Sequence, residues 1–143
     1  MSNKKKLNHF PDKNKCTIAV IGLGYVGLPL AIELAKKKDC YITGDLLDRK
    51  IIGFDINQDR LEELKKGIDK TNEISNKVLS NIKFHDLTSD IFSLSTADVF
   101  IISVPTPIND LKEPDLDPLK KACLTVGKAL KIKQRNLNKK EKK

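Results

Sequence analysis

The chain has 143 residues, enough for one domain, with 32% charged and only 5% aromatic side chains. Its formal net charge is +8, of which residues 1–15 carry +4 and residues 131–143 carry +6, so that residues 16–130 have a net charge of −2. No aromatic residues are interleaved with the terminal lysines, which argues against specific nucleic-acid binding. We therefore expect a flexible basic leader over residues 1–15 and a disordered basic tail over residues 131–143.

Neither the cysteines nor the amino terminus points to secretion or to a metal. Cys16, Cys40 and Cys123 have neither metal-ligand nor C-x-x-C spacing, and no apolar run follows the basic residues at the amino terminus. These features are typical of a cytoplasmic protein. A membrane span is not expected, because the uncharged residues 17–32 fall short of the about 20 apolar residues that a spanning helix needs and contain three glycines.

A short apolar run of β-branched residues, Thr17–Ile21, leads directly into a G-x-G-x-x-G formed by Gly22, Gly24 and Gly27. A helix-length stretch, residues 28–38, follows, and this strand–turn–helix order is the context of a dinucleotide-binding fingerprint. In that fingerprint the first glycine permits the tight turn, the second lets a pyrophosphate approach the backbone, and the third allows the helix to pack closely on the strand. The alternative is a glycine-rich turn without a ligand.

The fingerprint also requires an acidic residue at the end of the next strand. Asp45 lies 18 residues after Gly27, but only a three-residue apolar segment precedes it. Residues 51–55 form a better strand and end in Asp55, 28 residues after Gly27. We therefore take Asp55 as the ribose ligand and interpret part of residues 39–50 as an insertion.

The remaining pattern predicts three further elements and possibly a fourth. Asn57 is expected to cap a helix over residues 58–66, and a small strand is possible at residues 83–85. A buried strand over residues 99–104 ends at two prolines. The last helix begins at Asp117–Pro118, and its predicted apolar face consists of Leu119, Ala122, Cys123, Val126, Ala129 and Leu130.

The order of these elements predicts an α/β domain over residues 16–130. We expect an incomplete Rossmann-like parallel sheet of about four strands, with helices on both faces. The glycine turn, Asp55 and the proline loop after residue 104 then meet at the carboxyl ends of the strands, where such sheets bind their ligands.

Several separate motifs, in this order, resemble the NAD-binding domain of the UDP-glucose/GDP-mannose dehydrogenase family. They are IAVIGLGYVGLPLA at residues 18–31, IIGFDIN at 51–57 with Arg60 after it, GIDKTNE at 67–73, and SVPTPIND with PDLDPL within 103–119. The last pair looks most like the branch that acts on UDP-N-acetylhexosamines, such as UDP-N-acetylmannosamine dehydrogenases. The resemblance covers about residues 16–130.

The resemblance implies NAD as the cofactor and a set of residues that bind it. They are Gly22, Gly24, Tyr25, Val26, Gly27, Asp55, Arg60, Val104, Pro105 and Thr106. The amides of the glycine turn would hold the pyrophosphate, Asp55 would accept hydrogen bonds from the adenosine ribose, and Arg60 would lie nearby at the adenylate. Asp55 favours NAD because its charge repels a 2′-phosphate, whereas a nearby arginine is the feature that would favour NADP.

The resemblance also implies what this chain lacks. Such enzymes oxidise a UDP-sugar C6 alcohol to a carboxylate by way of a catalytic cysteine, which lies in segments beyond this chain's end and matches none of its three cysteines. We therefore expect a truncated domain that is inactive alone and whose tail is frame-disrupted or prematurely ended. A UDP-sugar would be bound only by a full-length parent enzyme, in which oligomers are possible. Two alternatives stay open: another Rossmann dehydrogenase, and a non-enzymatic interaction module that acts through the basic tails.

Overall fold

The computed structural model describes residues 10–108 and 110–140. Within them, four parallel strands form one sheet in the order β3-β2-β1-β4. The strands are β1 (Thr17–Ile21), β2 (Lys50–Phe54), β3 (Asp86–Thr88) and β4 (Val99–Ile102). β1 is central, with Ile18 opposite Ile51 of β2 and Val99 of β4. The chain builds the sheet outward from β1 to β3 and then returns to the other side of β1, which places the switch point between β1 and β4.

Five helices in the described residues cover the two faces of this sheet. They are α1 (Gly27–Lys36), α2 (Gln58–Lys65), α3 (Asn76–Ser80), α4 (Ile91–Leu94) and α5 (Asp117–Lys140). Side chains along β1 alternate between two cores, as the strand period requires. Ile18 and Val20 pack with α1, α2 and α3, whereas Ala19 and Ile21 pack with α4 and α5. The predicted Rossmann-like sheet with helices on both faces is confirmed.

The predicted elements are present, although several boundaries move. α1 ends at Lys36 and not at the predicted residue 38, and β4 ends at Ile102 and not at the predicted residue 104. The small strand lies at Asp86–Thr88 and not at residues 83–85. Phe84 and the preceding Ile82 pack against the core that contains α1, α2 and α3, and pairing with β2 begins with the bond from His85 N–H to the Ile51 carbonyl.

The predicted disordered tail over residues 131–143 is wrong for residues 131–140, which continue α5. Residues 141–143 and 1–9 lie outside the described residues. Two features explain the helix: its lysine, leucine, glutamine and arginine residues are good helix formers, and Lys133 Nζ lies 2.6 Å from both the Ala97 carbonyl oxygen and Asp98 Oδ1. The predicted core position of Cys123 is also wrong, because its side chain is exposed while Ala122 and Ala129 are buried.

Residues 39–47 form a small excursion that leaves the domain and returns to it. Asp39 and Leu46 pair in an antiparallel bridge, and Cys40 N–H donates to the Asp45 carbonyl at 2.8 Å. Residues 41–43 are not a strand, in agreement with the choice of β2 as the strand before Asp55. Just after the excursion, Asp48 N–H donates to the Asn14 carbonyl, which fixes a residue of the predicted flexible leader.

Candidate functional site

A cavity of about 420 Å³ opens at the carboxyl ends of β1, β2 and β4. It therefore lies at the switch point of the sheet, where open α/β sheets bind ligands, and its size is within the range of small-molecule sites. Its lining residues come from three strand ends and one helix: Ile21, Gly22, Gly24, Phe54, Asp55, Ile56, Ser103, Val104, Pro105, Pro118, Lys121, Ala122 and Thr125. Most of this lining is apolar, and Asp55 and Lys121 are its charged side chains.

Each of the three positions of the turn favours glycine for a different structural reason. Gly22 has φ +90°, a backbone conformation that strongly favours glycine. A Cβ on Gly27 would collide with the Gly22 carbonyl oxygen and Ser103 Oγ. A Cβ on Gly24 would meet no atom within 4 Å. The fold therefore needs Gly22 and Gly27, whereas at Gly24 the missing side chain leaves open space beside the cavity.

The amino terminus of α1 presents unoccupied hydrogen-bond donors. Val26 caps the helix without a side-chain hydrogen bond, and the first turn carries no acidic residue. Within residues 10–108 and 110–140, the amides of Gly24, Tyr25 and Val26 have no protein acceptor. Together with the helix dipole, these amides make the turn suitable for binding an anion. Tyr25 and Val26 expose their side chains and do not line the cavity, so only their backbones are available for this role.

Asp55 connects the end of β2 to the glycine turn. Its Oδ2 accepts a hydrogen bond from Leu23 N–H at 2.8 Å, and its Oδ1 accepts one from Asn57 N–H at 2.9 Å. Each carboxylate oxygen can accept a second bond. Asp55 is thus held by the backbone on both oxygens and retains acceptor capacity toward the cavity that it lines.

Arg60 is buried next to the glycine turn and is bonded to its backbone. It is 9% exposed and is not part of the cavity lining. Its Nε–H donates to the Leu23 carbonyl at 2.9 Å, its Nη2 donates to Thr71 Oγ1 at 3.2 Å, and its Nη1 is 2.8 Å from Asp69 Oδ1. The guanidinium therefore holds the glycine turn through the Leu23 carbonyl, and its charge is paired with the buried carboxylate of Asp69.

Asp69 organises the loop that holds Arg60. Burial acts to raise the pKa of Asp69, but hydrogen bonds from the Thr71 hydroxyl, the Ile74 amide and Arg60 outweigh it and lower that pKa to about 2. Asp69 is therefore an anion at neutral pH. Asp69 Oδ2 accepts hydrogen bonds from the amides of Glu73 and Ile74, which fixes the backbone of residues 69–74.

Sequence reasoning found part of the cavity lining and missed the rest. Of the predicted residues after β4, Val104 and Pro105 line the cavity, whereas Thr106 does not. The missed residues are Ile21, Phe54, Ile56, Ser103 and the α5 face formed by Pro118, Lys121, Ala122 and Thr125. The four α5 residues have i, i+3, i+4, i+7 spacing, which brings their side chains to one side of the helix, but every face of a helix has this spacing, so the sequence does not single out this one.

Two other kinds of site are not found in the described residues. No three histidine, cysteine, aspartate or glutamate side chains there are close enough to hold a metal ion. In the same ranges, every helix is too short or too polar to cross a membrane.

Known proteins are similar to this chain in sequence and in fold. Residues 16–139 match the NAD binding domain of the UDP-glucose/GDP-mannose dehydrogenase family. The UDP-N-acetyl-D-glucosamine 6-dehydrogenase of Pseudomonas aeruginosa is 46% identical over 114 residues, which are 80% of this chain and 24% of that protein. The UDP-N-acetyl-D-mannosamine dehydrogenase of Campylobacter jejuni is 37% identical over 116 residues, 80% of this chain and 26% of that protein.

A solved structure has the same fold. The UDP-glucose dehydrogenase of the archaeon Pyrobaculum islandicum matches with a TM-score of 0.65 at 22% identity, over 86% of this chain and 27% of that chain. This chain thus spans about a quarter of the length of the relatives that it matches.

Proposed function

This chain belongs to the UDP-glucose/GDP-mannose dehydrogenase family, whose NAD-binding domain it carries, and we propose that it binds NAD in the cavity beside the glycine turn. The family match removes the alternative of an unrelated Rossmann dehydrogenase. The observation that carries the proposal is the open space at Gly24, in a turn whose other two glycines are required by the fold itself.

The lining of the cavity fits the two polar parts of the adenosine half of NAD. The amides of Gly24, Tyr25 and Val26, at the start of α1, would hold the pyrophosphate. The free acceptor capacity of Asp55 would bind the ribose hydroxyls, and the apolar walls formed by Val104 and other residues would receive the base. When bound, NAD supplies the hydride acceptor, and the residues of this chain bind and orient it.

We expect NAD to be preferred over NADP. The Asp55 carboxylate repels a 2′-phosphate. Arg60, the residue that would have favoured that phosphate, is buried and paired with Asp69. Among the residues that line the cavity, Lys121 on α5 carries a positive charge.

In a full-length parent, the proposed substrate is a UDP-N-acetylhexosamine whose C6 alcohol is oxidised to a carboxylate. The support is the SVPTPIN and PDLDPL stretches together with the names of the similar enzymes, which act on N-acetylglucosamine and N-acetylmannosamine derivatives. We expect this chain alone to bind the cofactor without producing NADH from either sugar nucleotide.

Calorimetric titration of NAD and NADP into wild type, Gly24→Val and Gly127→Val tests the proposal. Both glycines have open space around their Cβ positions, so both variants should fold, and only Gly24→Val should lose NAD binding. Asp55→Asn should reduce the preference for NAD over NADP by about tenfold, the effect of one charge-assisted hydrogen bond. Unchanged NAD affinity in Gly24→Val would show that the turn is purely structural.

A further inference from the structure

We propose that the first turns of α5 recognise the adenine base of NAD: the Thr125 hydroxyl oxygen accepts a hydrogen bond from the N6 amino group, and the Lys121 ammonium donates one to the adjacent ring nitrogen N1. This inference rests on the proposed binding of NAD. It goes beyond that proposal, which gives the base only apolar walls, by assigning the choice of base to two polar side chains of one helix.

Few polar side chains line the cavity, and two of them are committed to the glycine turn. The four are Asp55, Ser103, Lys121 and Thr125. Asp55 is bonded to the turn through Leu23 N–H, which places its carboxylate beside the proposed phosphate and ribose sites. Ser103 Oγ donates to the Gly22 carbonyl at 2.9 Å. The two that remain, Lys121 and Thr125, both lie on α5.

These two side chains offer a hydrogen-bond acceptor next to a group of donors. They are four residues apart and therefore neighbours on one face of the helix. The Thr125 hydroxyl donates to the Lys121 carbonyl at 3.0 Å, so its proton is used and its oxygen is left to accept. The Lys121 ammonium can only donate, and within residues 10–108 and 110–140 it has no carboxylate partner within 4.0 Å.

Adenine carries the complementary pattern on adjacent atoms. Its N6 amino group donates, and its N1 accepts. Hypoxanthine has the same shape, but an oxygen that accepts replaces the amino group, and its N1 carries a proton that donates. The α5 face therefore matches adenine and opposes hypoxanthine at both atoms. A few placed polar groups in an apolar lining are the usual source of specificity in such a pocket.

Ala122 fixes this face against the ends of the strands. Its side chain is buried in the same core as Ile21 and Phe54, which also line the cavity. Because Ala122 lies between Lys121 and Thr125 on the helix, this packing sets where both polar groups stand relative to the strand ends. Ala122 and Pro118 add the apolar surface against which the face of a base can pack.

Calorimetric titration of NAD and of nicotinamide hypoxanthine dinucleotide, which differs from NAD only in the base, tests this inference. Wild type should bind NAD about tenfold more tightly than the analogue, the effect of two hydrogen bonds. Lys121→Met and Thr125→Val should each weaken NAD binding about fivefold and leave the analogue within about twofold of wild type. Lys128→Met, which removes an exposed lysine two turns further along α5 and outside the lining, should change neither affinity.

Three other outcomes contradict the inference. Equal losses of both dinucleotides in Lys121→Met would show that the ammonium acts on the phosphates through its charge. Equal affinities of wild type for the two dinucleotides, or unchanged NAD affinity in both variants, would show that α5 does not read the base. Because Lys121 is exposed and valine has the shape of threonine, both variants should fold. Each of these outcomes leaves the proposed NAD site standing, whereas wild type that binds neither dinucleotide would overturn the proposed function itself.

Discussion

Two sides of the molecule, one formed by β1, β2 and α1 and the other by β4 and α5, are fixed by different kinds of interaction. On the side of β1, α1 and β2, four of the five residues in each strand are buried, and several elements meet at the glycine turn. On the side of β4 and α5, no residue of β4 is fully buried, and α5 is attached mainly by two small alanines and by Lys133. The first side thus depends on close contacts, which at Gly27 leave no room for an added atom, and the second depends on helix propensity and surface charge.

A matched pair of glycine substitutions should give the largest difference between the two sides. Gly27→Ala should destabilise the protein by at least about 3 kcal/mol, because its Cβ would overlap the Gly22 carbonyl and Ser103 Oγ. Gly127→Ala, in the middle of α5 with open space around it, should stabilise the protein by about 0.5–1 kcal/mol. Urea denaturation measures both. Similar effects at the two positions would contradict the comparison.

The same contrast explains which parts of the fold could be predicted. Around the glycine turn, the chemical requirements of the backbone are visible in the sequence, so β1, β2 with Asp55 directly after it, and the cap at Asn57 were predicted correctly. α5 beyond residue 130 was not, because its composition is equally compatible with disorder, and the contact that fixes it joins Lys133 to Ala97 and Asp98, 36 and 35 residues away. Such long-range pairs leave no local signal.

The position of Arg60 shows the same limit within the site. A family motif predicts that an arginine follows the second strand, but it does not indicate on which side of the turn the guanidinium lies. That direction is set by Asp69, whose buried carboxylate lies nine residues later in a polar segment that reads as an ordinary loop. Lys121 was missed for a related reason, since the sequence does not reveal which face of α5 meets the cavity.

Acid titration should sharpen the comparison through Asp69. Because the pKa of Asp69 is lowered to about 2 in the folded protein, its contribution to stability is complete above pH 4 and is lost as the pH falls toward 2. This contribution should be about 2 kcal/mol. Asp69→Asn should therefore be less stable at pH 7 and show a flatter dependence of unfolding free energy on pH between 4 and 2. An unchanged slope would mean that Asp69 is not coupled to folding.

Removal of the Lys133 contact should have a smaller and more local effect. Lys133→Met should lower the unfolding free energy by about 1 kcal/mol or less, because the pair with Asp98 is partly exposed. Amide hydrogen exchange should accelerate in residues 133–140 and remain unchanged in β1 and β2. Lys128→Met, an exposed lysine on the same helix, provides the control. Rapid exchange of residues 133–140 in wild type would instead restore the interpretation of a disordered tail.

The smallest predicted effect concerns the reactivity of the three cysteines, which sample the core, the excursion at residues 39–47 and the exposed face of α5. Hydrogen bonds from the Thr43 hydroxyl and from the amides of Thr43 and Ile42 lower the pKa of the Cys40 thiol to about 7. Because the thiolate is the reactive form, iodoacetamide at pH 7 should modify Cys40 several-fold faster than the exposed Cys123, and the buried Cys16 slowest. Thr43→Val should raise the pKa of Cys40 and remove this advantage, while leaving the unfolding free energy nearly unchanged because the site is on the surface.

Peptide mass spectrometry after timed quenching measures the three rates separately. Equal rates at Cys40 and Cys123 would show that the hydrogen bonds of the excursion do not persist in solution, and would place the excursion with the loosely fixed side of the molecule.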